Sequence, residues 1–425
     1  MNKIMTNTVN KIKLIDNYIL FIYGYIFIMP WNFFKGQMGL FTVLLFIWWL
    51  FKFRNKIFKM LKSILIFKPL LILILFILYK YIAVLWSDDI VAAIEYTNKY
   101  NKYYFLIIPV LFTSLSINEA KNGLKVFIFS FGMYAIFSFL IYLNLFTILE
   151  TGSNHNNPKG ILGYAIMSQY MAIGTISAFF IALYSKNKII RFVFFTIVIL
   201  CFIGLFINNS RTAQLSFVFT FLTILIANYR IYILNKKILG SVLIVSLLTI
   251  YFLNTSGKIK RYQSAYSEVE KIITDNKYTG SFGLRIYFTK AGIEIIKDNF
   301  WFGTGPLDSI DLFRSIQKND PNYKNRIFSA FHNIHIDILT QYGIVGYILL
   351  VFSITYLLYK VRKSRTEYII GLSFFITTFF ISFANGTFTK KPINYILITV
   401  FILLSVIAYK KYQEHNNKIT DDTVR

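Results

Sequence analysis

The 425-residue chain is 56% hydrophobic and 19% aromatic and carries a formal net charge of +26. Soluble domains average about 45–50% apolar residues, and here the excess is gathered into long runs, which excludes an ordinary soluble fold. The positive charge does not point to nucleic acid, because the Lys and Arg residues fall between the apolar runs, where membrane topology places them.

LLILILFILY (Leu70–Tyr79) and FVFFTIVILCFIGLFI (Phe192–Ile207) hold almost no polar atoms. Runs near 20 residues match a hydrocarbon core about 30 Å thick, and backbone in lipid must bond within its own segment. The predicted fold is therefore an all-α polytopic membrane protein. About twelve spans are expected, at 15–33, 38–53, 64–86, 103–117, 124–147, 161–184, 189–208, 212–229, 232–253, 337–359, 367–384 and 392–409. The first is read as a retained span and not as a cleaved signal peptide. The organisation is a nine-span block over 1–253, a hydrophilic loop over 254–336, three spans over 337–410 and a tail over 411–425. No internal repeat is evident.

Basic residues orient the spans. Lys52, Arg54, Lys56 and Lys59, then Lys186, Lys188 and Arg191, then Lys360, Arg362, Lys363 and Arg365 all fall on one side if both termini are cytoplasmic. The opposite short loops hold few, such as Lys35, Lys99 and Lys159. Long loops are exempt from the count, so 254–336 is placed outside.

Within that loop, GLRIYFTKAGIEIIKDNFWFGTG (Gly283–Gly305) spaces Ile286, Ile293, Ile296 and Phe300 with helical periodicity and ends in the turn Gly303–Pro306. An amphipathic helix near the outer interface is predicted. Another is expected over Ser267–Asn276, with Ser267 and Glu270 as a capping box.

Three polar features then share the outer side: Arg211 between the seventh and eighth spans, Arg285 at the start of the loop helix, and His332-Asn333 before the tenth span. Arginine offers a planar fork of donors suited to phosphate oxygens. Histidine takes a proton near neutral pH. Together they suit a reaction on a lipid diphosphate. Each also has an ordinary structural role: a junctional arginine usually anchors at the headgroups, and a histidine at a span end is usually a satisfied interfacial residue. His335 lies one turn after His332. A metal pair of His332 and His335 with Asp337 lacks further ligands nearby, and no CxxC or HExxH pattern exists. No metal or cofactor is expected.

The stretch at His332 resembles the motif of the O-antigen ligase family: His, then Asn, Ser or Gln, nine residues, Gly, two residues, then Gly, Thr or Tyr. Here it reads His332-Asn333, Ile334–Tyr342, Gly343, Ile344-Val345, Gly346. Arg211 to Leu215 is similar to the family's Arg-x-x-x-Leu element, and Arg285 before GTGP to its loop arginine. The resemblance implies a GT-C-type glycosyltransferase, independent of metal and nucleotide. It moves a glycan from undecaprenyl diphosphate to the lipid A core of lipopolysaccharide, at the periplasmic face of the bacterial inner membrane. By the same resemblance His332 is the catalytic base and Arg211 and Arg285 hold the donor diphosphate. Asn333, Lys80 and Asp88 are possible support residues, although snorkelling and loop solvation account for the last two. Gly343 and Gly346 are expected to pack helices closely.

Three other readings stay open at this point. An O-antigen polymerase or a protein O-oligosaccharyltransferase uses the same lipid-linked donor. A transporter or flippase would instead show midplane charges, broken half-helices or repeats.

Overall fold

The computed structural model describes residues 16–33, 36–208, 210–228, 240, 259–275, 278–320, 322–323, 328–385 and 391–423. Apart from residue 240, the expected span 232–253 lies outside the described residues. The described chain is helical, with two isolated β-bridges in place of any strand.

The first half runs α1 (Asn17–Ile28), α2 (Gln37–Phe53), α3 (Ile57–Ile66), α4 (Lys68–Ile82) with a 3₁₀ turn (Ala83–Trp86), α5 (Ile90–Asn101), α6 (Tyr104–Ser114) and α7 (Ile117–Tyr142). Then come α8 (Tyr164–Tyr184), α9 (Lys188–Ile207) and α10 (Arg211–Ala227). The loop region contributes α11 (Ile259–Asp275), α12 (Gly280–Asp298) and α13 (Asp308–Asn319). The chain closes with α14 (Ile334–Val361), α15 (Arg365–Ser382) and α16 (Lys391–Thr423).

Local chemistry explains several boundaries that differ from the sequence reading. The expected span 64–86 is cut at Phe67, because Pro69 sits at the start of α4 and has no N–H to continue a helix from before it. Residues 57–66 form α3 instead, folded back at 115° to α2. Helix α7 starts at Ile117, not 124, because Ser116 and Glu119 form a reciprocal capping box. Ser267 lies inside α11, so it does not cap that helix. The tail helix α16 continues well past 409.

Among the described residues six helices are long and apolar enough to cross a membrane, or seven if the bent α2–α3 pair counts as one. The remaining expected spans correspond to the shorter or more polar helices α1, α6, α10 and α15. Helix α8 is the hub, with 89% of its apolar window buried. Small residues let neighbours approach it: a Cβ on Gly174 would meet Cys201 Sγ at 2.8 Å. Polar groups in this core bond across helices, as Gln169 Nε2 does to Thr378 Oγ1 at 2.9 Å and Thr377 to Thr220 at 3.1 Å.

The loop region has its own small apolar cluster. Tyr287, Phe288, Ala291 and Ile295 of α12 pack with Phe313 of α13 and with Phe331 and Ile336. The amphipathic helix is present; it buries this face within the protein, and of the four expected apolar positions Ile296 packs against the cluster. Ile293 is 44% exposed and Phe300 45% exposed.

Candidate active site

The residues before α14 form a tight turn. His332 has φ +51°, a left-handed conformation that costs most side chains energy and that Asn, Asp and His tolerate best. Asn333 caps the helix. Its Oδ1 accepts from the N–H groups of His335 at 3.0 Å and Ile336 at 3.3 Å. The Asn333 side chain also faces Thr289 of α12, 3.5 Å away. The turn presents the exposed His332 ring against Phe288 of α12, with ring centroids 5.8 Å apart.

Beside this turn lies an open groove of about 760 Å³ between α10, α12 and the end of α15. Arg211, Arg285 and Asn333 all line it. His332 is not among its lining residues; it stands next to Asn333, on the ring that follows Arg285 by three positions on α12. The wall contributed by α12 is one helical stripe: Phe282, Arg285 and Ile286, Thr289 and Lys290, Ile293 and Glu294, Lys297. Ile286 and Ile293 therefore line the groove. Leu215 and Phe383 add to its apolar part. The sequence reading missed Lys290, Glu294 and Lys297, which were legible as the polar positions of the same 3.6-residue stripe.

Arg285 is held in place. Its Nε donates to the Ala384 carbonyl at 3.0 Å, and its Nη1 donates to Ser281 O at 3.2 Å and Oγ at 2.8 Å. Nη2 has no hydrogen bond to the described residues, so its donors point to no protein acceptor there. Burial lowers the Arg285 pKa; Tyr164 and Glu268 oppose the shift, and the nearby Arg211 charge adds to it. The Arg211 charge near Arg285 makes the groove between them a favourable place for an anion. Arg211 is the first residue of α10, where a cation also opposes the helix dipole and an anion is favoured. Glu268 of α11 does not neutralise the pair by contact: its Oε2 accepts the N–H groups of Phe282 and Gly283 at 2.8 and 3.3 Å, capping α12.

His335 is arranged differently from His332. Its Nε2 lies 3.1 Å from the Phe379 carbonyl, so that nitrogen carries the proton. Its Nδ1 then accepts from the Tyr347 hydroxyl at 3.1 Å. Nε2 thus ties α14 to α15, and Nδ1 is engaged within α14.

Gly343 and Gly346 separate in role. Gly346 does pack closely, since a Cβ there would lie 3.1 Å from the Tyr79 ring of α4. Gly343 breaks the helix, with φ 60° and ψ −169°. The loop after α12 fills the break. Thr304 N–H donates to Thr340 O at 2.8 Å and Gly305 N–H to Gln341 O at 3.1 Å. In return Ile344 N–H donates to Phe300 O at 2.8 Å and Val345 N–H to Trp301 O at 3.3 Å. The GTGP turn thus staples the loop region to the helix that carries the His332 turn.

Lys80 and Asp88 do not line the groove. Lys80 donates to Asn101 Oδ1 at 3.0 Å and sits in a separate small cavity of about 70 Å³ with Asp337. Asp88 lies where the corner after α4 meets the GTGP turn: its N–H donates to Asp308 Oδ2 at 3.0 Å, and neighbouring Ser87 donates to Pro306 O at 3.2 Å.

Residues 196–351 match the family described as O-Antigen ligase. The chain carries an O-antigen ligase family domain. That domain includes Arg211, Arg285, His332, Gly343 and Gly346, and it excludes Lys80 and Asp88. An uncharacterized protein of Haemophilus influenzae is 29% identical over 140 residues, which is 32% of this chain and 35% of that protein. The match therefore spans about a third of that relative's length. Members of the O-antigen ligase family are glycosyltransferase-like enzymes that act on lipid-linked glycans, and the apolar helices make this a multi-pass membrane protein.

Proposed function

We propose that the protein is an O-antigen ligase that transfers a glycan from undecaprenyl diphosphate to the lipid A core. The observation that carries this reading is the groove, where two mutually repelling arginines sit beside an apolar stripe and next to the His332 turn. A lipid diphosphate has both halves of that chemistry. The arginines hold the leaving diphosphate, and among the described residues no carboxylate is bonded to Arg285. His332 takes the proton of the acceptor hydroxyl as its oxygen attacks the anomeric carbon. The C1–O bond to the diphosphate breaks on the opposite face, so configuration inverts and no glycosyl-enzyme forms. The chemistry uses neither metal nor nucleotide. Asn333 fixes the turn.

In the proposed topology the chain crosses the inner membrane about twelve times, in a GT-C-type arrangement. Both termini are cytoplasmic and 254–336 is periplasmic, which puts the groove on the side where finished glycans and lipid A core meet. The break in α14 does not favour a transporter. Its open carbonyls, Thr340 and Gln341, are already bonded by the GTGP turn, leaving none of them bare for an ion.

Deletion followed by lipopolysaccharide gels tests the reading. A ligase mutant keeps full-length glycan on the carrier lipid and loses it from lipid A core. A single repeat left on the core would instead identify a polymerase, and an unchanged lipopolysaccharide with loss of glycan from exported proteins a protein glycosyltransferase.

The arginines give a sharper test. Arg211→Ala and Arg285→Ala are each expected to reduce transfer by about 10–100-fold, the worth of one charge-assisted hydrogen bond. Arg→Lys should recover little, because the ammonium cannot make the bidentate fork. Wild-type transfer by both alanine variants, at matched membrane levels, would remove the diphosphate assignment.

A further inference from the structure

Helix α14 begins at the groove and runs 28 residues to Val361, about 40 Å along its axis at 1.5 Å per residue. At that far end a second polar cavity of about 540 Å³ opens between the α14–α15 corner and the part of α16 that emerges beyond its apolar stretch. Lys360, Arg362, Lys363 and Lys411 line it, against one carboxylate, Glu414. The walls are fixed to each other: Lys411 Nζ donates to Ser364 Oγ at 2.7 Å, and Ser364 is buried. Arg362 lies flat over the Tyr359 ring, 3.5 Å from its centroid, with Nη1 on the Tyr359 carbonyl at 3.1 Å. None of the four cations forms an ion pair with a described residue, whereas Lys121 elsewhere in the bundle pairs with Glu367 at 3.2 Å.

We infer that this cavity binds the headgroup of an anionic phospholipid. Four cations around one carboxylate attract an anion, and the volume falls in the usual range for ligand sites, about 300–1,000 Å³. A lipid is favoured over free phosphate by what leads into the cavity. Ile348, Phe352 and Tyr359 stand on one face of α14, at spacings of four and seven residues, and are 55%, 52% and 56% exposed. This strip runs along a membrane-spanning helix and ends at the cations. It gives an acyl chain a surface continuous with its headgroup, and the cavity is also lined by Tyr359 and Tyr412, aromatic residues of the kind enriched at membrane interfaces. The site is distinct from the groove and does not depend on the glycosyl-transfer reading.

The test is native mass spectrometry of the full chain from vesicles of phosphatidylethanolamine with a minority of phosphatidylglycerol. Wild type is expected to retain phosphatidylglycerol selectively. The double variant Lys363→Gln/Lys411→Gln should retain roughly twenty-five-fold less, at about fivefold per charge near the surface. Lys56→Gln/Lys59→Gln removes the same charge elsewhere and should behave as wild type. Because Lys411 also ties two helices together, Lys363→Gln alone, at an exposed residue, keeps the test decisive with an expected fivefold drop. Equal losses in the Lys56/Lys59 and Lys363/Lys411 variants would reduce the site to diffuse surface charge. Retention of phosphatidylethanolamine to the same degree, or displacement of the lipid by millimolar inorganic phosphate, would also overturn the proposal.

Discussion

His332→Ala is expected to cut glycan transfer by about 10²–10⁴-fold, the usual worth of general-base assistance, while leaving donor binding largely intact. The expectation rests on the difference between the two histidines of one short segment. His332 is exposed, held left-handed at φ +51° and adjacent to a groove residue. His335 has its Nε2 on the Phe379 carbonyl and its Nδ1 on the Tyr347 hydroxyl. Taking a substrate proton there would first require displacing the Tyr347 hydroxyl from Nδ1, the nitrogen that carries no proton. His335→Ala should therefore lower stability modestly, by about 1 kcal/mol for lost hydrogen bonds, and leave transfer measurable. The assay is transfer between purified donor and acceptor by both variants, each with and without EDTA. An inactive His335→Ala beside an active His332→Ala would show that the wrong histidine has been assigned. Loss of wild-type activity in EDTA would end the metal-free mechanism.

Gly343→Val should be the most damaging substitution away from the polar residues. The backbone there, φ 60° and ψ −169°, lies in a region essentially closed to other residues. A Cβ would also stand 2.3 Å from the Trp301 carbonyl oxygen. The strain is worth about 1–3 kcal/mol. The clash would push out the 300–305 segment, whose four backbone hydrogen bonds to α14 contribute about 0.5–1.5 kcal/mol each. The sum places this variant among the few that lose more than about 4 kcal/mol. It should show as low membrane yield and a large fall in Tm in detergent. Gly24→Ala is the matched control: nothing lies within 4 Å of a Cβ there, and it should be silent. A Gly343→Val protein with wild-type Tm would mean that the loop does not depend on this docking.

How much was legible beforehand follows from the range of each interaction. Apolar runs such as Phe192–Ile207 specify helices because lipid leaves backbone no other partner. Caps were readable in principle: Ser116 and Glu119 carry a capping box three residues apart, and Pro69 marks the start of α4. Arg211, Arg285 and Asn333 were legible as residue types at motif spacings, since their chemistry belongs to the side chains themselves. Their meeting in one groove was not, because 74 residues separate Arg211 from Arg285 and a further 48 separate Arg285 from Asn333.

What only the tertiary structure decided depends on contacts between distant segments. Periodicity placed Ile286, Ile293, Ile296 and Phe300 on the apolar face of the loop helix, but an amphipathic helix with apolar residues on two faces buries within the protein the one its partners fill. Phe313 and Phe331 fill the Tyr287–Phe288 side. That choice turns Ile286 and Ile293 toward the arginines. Gly343 was read as a packing residue because sequence spacing describes an unbroken helix. Its torsions exist because the chain at Phe300–Gly305 supplies the partners that the broken turn would otherwise lack. The sequence by itself determined a polytopic helical protein and the identity of its chemical groups, through local backbone satisfaction and side-chain type. The structure decided which groups share a groove, because that depends on how helices far apart in the chain pack.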